Sequence, residues 1–77
     1  MNSLSIGYLA AATIIAIGAL ASAISIGIIS REALKGIARQ PEASDKIQNS
    51  LIICIALAEA IALYALVAGL LLIFTAK

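Results

Sequence analysis

The sequence predicts an all-α membrane protein, an antiparallel hairpin of two transmembrane helices, on three observations. Two apolar segments, Leu4 to Ile29 and Leu51 to Ala76, each exceed the ~20 residues a helix needs to cross a hydrocarbon core of ~30 Å. Charge is confined: Met1 to Ser30 carries none, seven charged residues lie between Arg31 and Lys46, and only Glu59 and Lys77 follow. Composition argues against a soluble domain. Of 77 residues, 64% are hydrophobic and 12% charged, with a mean hydropathy of +1.16. A soluble chain this short would struggle to bury a core and would need a far more charged surface.

Taken in order, the chain divides into helix one over about 4–38, a polar loop over about 39–41 and helix two over about 42–76, one hairpin with no repeat between its halves. Helix one extends beyond its apolar segment because Glu32, Ala33, Leu34 and Lys35 are compatible with helix; Gly36 weakens it without ending it. It is not a secretory signal, having no basic residue ahead of it and a core longer than about 7–15 residues. The turn is placed at Arg39, Gln40 and Pro41, since proline disfavours helix in the residue before it and suits the first position of a new one. Glu42 and Asp45 then fall in the first turn of helix two, as solvated charges that complement the helix dipole. The single Cys54 allows no intrachain disulfide and is expected as a small buried hydrophobe. Four of the five basic residues, Arg31, Lys35, Arg39 and Lys46, lie in the connector. The positive-inside bias sets that connector on the cytoplasmic side and both termini opposite.

Each helix carries a stripe of small residues at spacings of three and four. Helix one has Ala12, Ala16, Ala19, Ala23 and Gly27; helix two has Ala58, Ala62, Ala65 and Gly69. Such stripes let membrane helices approach closely. One stripe would let a hairpin pack on itself; two make self-association of several hairpins a reasonable expectation. A net charge of +1 says little about partners, and no nucleic acid is expected.

Glu59 is the residue that calls for a reason. From Ile47 to Ala76 no other side chain is charged at neutral pH. It lies eight residues beyond Leu51, about 12 Å along the helix axis, too deep for easy snorkelling. A charge at the bilayer centre costs ~2.5–3.5 kcal/mol on insertion scales. Hydrocarbon therefore favours the neutral acid. Ionisation requires water or a cation, and neither span holds a Lys, Arg or His. One reading is a protonated acid donating an interhelical hydrogen bond. The other, preferred because intramembrane acids are functional by default, is a reversible proton or cation carrier. Sodium wants several oxygen ligands, and only Ser22, Ser25 and Tyr64 offer side-chain oxygens nearby. Tyr64 is about 140° round the helix from Glu59 and does not share its face. A proton is the favoured ion.

Two apolar helices, the loop Ala38-Arg39-Gln40-Pro41-Glu42-Ala43, alternating small residues in helix one and Glu59 midway along helix two together resemble the c-subunit family of F-type ATP synthases, the proteolipids of the membrane rotor ring. The resemblance covers essentially the whole chain. It implies that the hairpins assemble into an oligomeric ring, helix one inside and helix two outside. Glu59 is then the proton-binding residue, loaded from one half-channel of subunit a and emptied into the other, with an Arg of subunit a keeping the routes apart. Tyr64 matches a Tyr found near the site in several members and is a hydrogen-bond partner for the carboxyl; Ser25 is a further oxygen behind it. Arg39, Gln40 and Pro41 fall in the loop that meets the central-stalk subunits gamma and epsilon. The resemblance also implies a lipid-embedded, non-catalytic subunit with no cofactor and no bound metal.

The departures are specific. Many members alternate glycines where this chain has Ala19, Ala21, Ala23, Ser25 and Gly27, which bears on ring size. Sodium-dependent members carry a Gln in helix one and a hydroxyl residue after the Glu; here those positions are Ile26 and Ala60. The competing readings are a holin-like pore-forming hairpin, which needs no placed acid, and a V-type rotor proteolipid, against which the short hairpin and the Arg-Gln-Pro loop argue. An initial Met without an obvious transit segment favours a bacterial or organelle-encoded protein; the bacterial plasma membrane is the expected location, with the mitochondrial inner or thylakoid membrane as alternatives.

Overall fold

The computed structural model describes residues 2–76; Met1, which entered the expectation about origin, and Lys77, the last basic residue, lie outside the described residues. Helix α1 runs Ser3–Arg39, 37 residues, and α2 runs Ser44–Thr75, 32 residues. Between them Gln40 breaks the helix at φ −134°, ψ 78°, and Pro41–Ala43 form a single 3-10 turn. Helix one thus takes in Arg39. What the sequence suggests as the start of helix two, from about 42, is a 3-10 turn leading into α-helix at Ser44. Pro41 has no N–H to leave unpaired there and its fixed φ suits a first helical position. Asp45 lies in the first turn of α2, and Glu42 in the turn before it.

The ends are closed by hydrogen bonds of defined kinds. The Ser5 N–H donates to Asn2 Oδ1 at 2.8 Å, an N-cap that satisfies one of the free donors of the first turn. At the other end of α1 the Gln40 N–H donates to the Gly36 carbonyl at 2.9 Å, and the Ala43 N–H then donates to the Gln40 carbonyl at 2.9 Å. The hydroxyls of Thr13 and Thr75 donate back to the carbonyls of Leu9 and Leu71, at 2.8 and 2.7 Å. Lipid supplies no hydrogen-bond partner, so a hydroxyl in a membrane helix finds one on its own backbone.

The helices pack through a seam of small residues. Ala11 is fully buried, and Ser22 and Ala58 nearly so; Gly18 and Gly69 are buried with them. Among the described residues no large side chain is fully buried. Contact depends instead on close backbone approach: a Cβ on Gly18 would collide with the Cβ of Ala65, and one on Gly7 with the Cβ of Ala76. A Cβ on Gly36 would meet Ile47 Cδ1 at 3.2 Å. In each of these three pairs the residue numbers add to 83, which defines the antiparallel register. The stripe Ala58, Ala62, Ala65, Gly69 therefore faces α1.

The stripe of helix one does not face α2. Ala12, Ala16, Ala19, Ala23 and Gly27 are all exposed, and a Cβ on Gly27 would have nothing within 4 Å. Cys54, expected to be buried, is exposed in the hairpin as well; a two-helix molecule has only one interior seam, and Cys54 falls at its edge. Large apolar side chains point outward on every side, among them Ile17, Leu20, Ile28, Leu57, Leu71 and Phe74. An apolar surface this extensive requires lipid or further protein around it. The molecule is 58 Å long, so its helices outreach the hydrocarbon core of ~30 Å. The charged connector forms one end, where Lys35 and Glu32 pair at 3.7 Å on an exposed face; such a pair stabilises by little.

Candidate ion-carrying site

Glu59 sits on α2 one residue past Ala58, which is buried in the seam. One residue is a rotation of about 100°, which moves the carboxylate from the interior onto the flank of the hairpin, where it is exposed. The register puts Glu59 level with Ile24 of α1. Its own helix surrounds it with Ile55, Ala56, Ala62 and Leu63. Leu51 is eight residues away and Ala76 seventeen, roughly 12 and 26 Å along the axis, so the carboxylate is nearer to the connector end. Among the described residues the ion pair is Lys35 with Glu32, at the connector, and none of their cations neutralises Glu59. No cluster of three metal-ligating side chains occurs among the described residues.

The oxygens singled out beside Glu59 do not converge on it within one hairpin. Tyr64 is 74% exposed, about 140° round α2 and therefore on the other flank. Ser25 is half-buried on the seam side of α1, at the level of Ala58. Ser22, 3% exposed, is held inside the seam, where its small side chain permits close approach. Arg39, Gln40 and Pro41 are brought together at the tip of the connector, all exposed, with the backbone of Gln40 fixed by the two hydrogen bonds that end α1 and begin the 3-10 turn.

Two right-handed helices packed antiparallel turn corresponding flanks to the same side of the pair. On α1 the residues about 100–180° round from Gly18 include Ala19, Ala23 and Gly27; on α2 Glu59 lies about 100° round from Ala58, in the same sense. The exposed carboxylate and the exposed small-residue stripe thus open onto the same broad side, while Tyr64, Ile61 and Leu57 occupy the other. Sequence spacing gives the two stripes but not this relation between them, which depends on the register of the hairpin.

The family model for the ATP synthase c-subunit matches residues 9–72. The ATP synthase c-subunit of Ruminiclostridium cellulolyticum is 47% identical over 64 residues, 83% of this chain and 84% of that one. Its counterpart in Thermosynechococcus vestitus is 43% identical over 76 residues, covering 96% and 93%. That of Synechococcus sp. (strain JA-2-3B'a(2-13)) is 42% identical over 66 residues, 86% and 82%. A hairpin of two apolar helices with a lone carboxylate in the apolar span of the second, matched by this family over most of its length, belongs to the ATP synthase c-subunit family.

Proposed function

We propose that this chain is the proton-carrying, non-catalytic rotor subunit of a membrane ATP synthase, and that Glu59 is the carrier. The observation that carries the proposal is the position of Glu59: a lone carboxylate, deep in an apolar helix, on an outer flank, with no cation of its own chain in either span. Protonated, it moves through lipid as a neutral group. Ionised, it needs water or a cation brought by another subunit. That asymmetry makes passage through lipid conditional on carrying the proton. Each charge moved across the membrane gains ~2.3 kcal/mol per 100 mV, so one ATP requires several protons and hence several equivalent sites, which a ring of hairpins supplies.

In this reading subunit a provides the two half-channels and the cation. The exposed tip at Arg39, Gln40 and Pro41 meets the central stalk, gamma and epsilon, on the cytoplasmic face of a bacterial plasma membrane. Tyr64, being on the opposite flank from Glu59, can serve the carboxyl of an adjacent hairpin rather than its own. The proton is preferred to sodium because Ile26 and Ala60 supply no ligand oxygen where sodium-dependent members have one.

Glu59→Gln should abolish proton translocation and ATP synthesis while the detergent-solubilised oligomer keeps its mass. Proton pumping retained in that variant would end the proposal. A carbodiimide should modify Glu59 selectively and less at high pH; protection of that labelling by sodium would reverse the choice of ion.

A further inference from the structure

The two flanks of α2 match each other near the connector. On the flank that carries Tyr64 the seam opens into a groove of about 330 Å³, with an apolar floor at Ile29 and Leu51 and an edge of Lys46, Ser50 and Cys54 at four-residue spacing. The opposite flank carries Asp45, Ile52 and Glu59, all exposed. These three recur every seven residues, each about 20° round the helix from the last. Asp45 and Lys46 are neighbours in sequence but point about 100° apart, one onto each flank. Among the described residues the ion pair is Lys35 with Glu32, so neither finds its partner in its own hairpin. Ile52 is 65% exposed and lies about 10 Å inward of Asp45 along the axis. The groove lies equally far inward of Lys46, with Ser50 about 6 Å and Cys54 about 12 Å away. One flank thus offers an acid and an apolar knob, the other a base and an apolar hole, at the same interval.

We propose that hairpins join here flank to opposite flank: Ile52 of one copy fills the groove of the next, and its Asp45 pairs with that copy's Lys46. Copies related by rotation about the membrane normal hold equal residues at equal depth. Asp45 of one then stands within one residue's rise of Lys46 of the next, and Ile52 falls between the next copy's Ser50 and Cys54. Each copy uses both flanks, a heterologous contact of the kind that closes into a ring. An exposed ion pair adds little strength. What this pair supplies is choice of partner surface, because joining like flanks would set acid against acid or base against base. The proposal deepens the rotor-ring reading and rests on it; it does not rest on the ion that Glu59 carries.

Cys54 is the sole thiol, so oxidation of the purified Ile52→Cys oligomer tests the contact. A disulfide needs Cα atoms within about 7 Å, and within one hairpin these two side chains point about 160° apart. The bond therefore forms only between copies, and a denaturing gel should show a ladder of dimers, trimers and longer chains. The ladder should be lost in the wild type, in Ile52→Cys with Cys54→Ser, and in Ile53→Cys, which is one residue on and points away from the groove. An intact oligomer that yields no ladder from Ile52→Cys, or an equal one from Ile53→Cys, would overturn the proposal and leave the groove to lipid. Charge is tested separately, with Ile52 in place. Asp45→Lys and Lys46→Asp should each lower the temperature at which the oligomer dissociates, most at low salt, and the two together should restore it. A double exchange that restores nothing, or single exchanges without effect, would also overturn it. Glu59→Gln added to Ile52→Cys should give the same ladder, so the proton reading and this one fail separately. A wild type that stays monomeric in mass would end the ring reading and this contact with it.

Discussion

The two small-residue stripes have similar spacing and opposite fates. Ala58, Ala62, Ala65 and Gly69 of α2 lie against α1, where Gly18 has no room even for a methyl group. Ala12, Ala16, Ala19, Ala23 and Gly27 of α1 lie on the outside, and at Gly27 there is nothing within 4 Å of where a Cβ would stand. In a membrane, association gains little from hydrophobicity, because lipid is as apolar as leucine; it comes from packing and hydrogen bonds. A small side chain therefore marks where something comes close without saying what. The first stripe builds the hairpin. The second, unused within it, is available to another copy.

The largest effect on this contrast is expected at Gly18. Gly18→Ala sets a Cβ against the rigid Cβ of Ala65, with no flexible atom to yield, so the helices must separate or shift register. Overpacking of this kind costs about 1–3 kcal/mol in a well-packed core. Spin labels at Leu20 and Leu63, exposed positions that the register sets level, in a Cys54→Ser background, should report a longer interhelical distance. Adding Ala65→Gly should restore it, and failure of that rescue would mean that the seam runs elsewhere. Gly69→Ala is expected to cost less. Its Cβ would meet Ile15 Cγ1 at 2.5 Å and Cδ1 at 2.6 Å, side-chain atoms that a change of rotamer can move, although the Ala11 carbonyl at 3.3 Å limits the relief. A larger distance change in Gly69→Ala than in Gly18→Ala would reverse that order.

Much of this is legible in the sequence, for physical reasons that also set the limit. Two charge-free apolar runs allow little except membrane helices, Pro41 fixes the turn to within a few residues, and an acid flanked by Ala58 and Ala60 needs a function. The face each residue presents is not legible. Both spans are apolar all round, so no polar face distinguishes inside from outside, and either stripe could form the seam. The 3-10 turn at Pro41–Ala43 escapes a sequence reading because proline opens 3-10 and α-helices alike. Helical spacing alone takes Tyr64 off the face of Glu59, whereas the turning of Ser25 towards the seam has no signal in the sequence. The missing signal is the register, which the close glycine contacts supply.

On the outer stripe the expected effects on the hairpin vanish, and whatever remains belongs to assembly. Ala19→Leu should leave the Leu20–Leu63 distance unchanged, because Ala19 faces outward, while the detergent-solubilised oligomer should lose mass or fall apart. The smallest change is Gly27→Ala. Within the hairpin it meets no atom, and replacing a helical glycine by alanine stabilises a helix by about 0.8–1.0 kcal/mol. The isolated hairpin should therefore become slightly more resistant to denaturing detergent, with its interhelical distance unaltered. If the outer stripe packs against a neighbour as closely as Gly18 packs against Ala65, the same methyl group should nonetheless weaken or resize the oligomer, read as a change in its mass. A gain in hairpin stability with no change in the oligomer would show that the outer stripe at Gly27 faces lipid, and would restrict the contact between copies to the alanines above it.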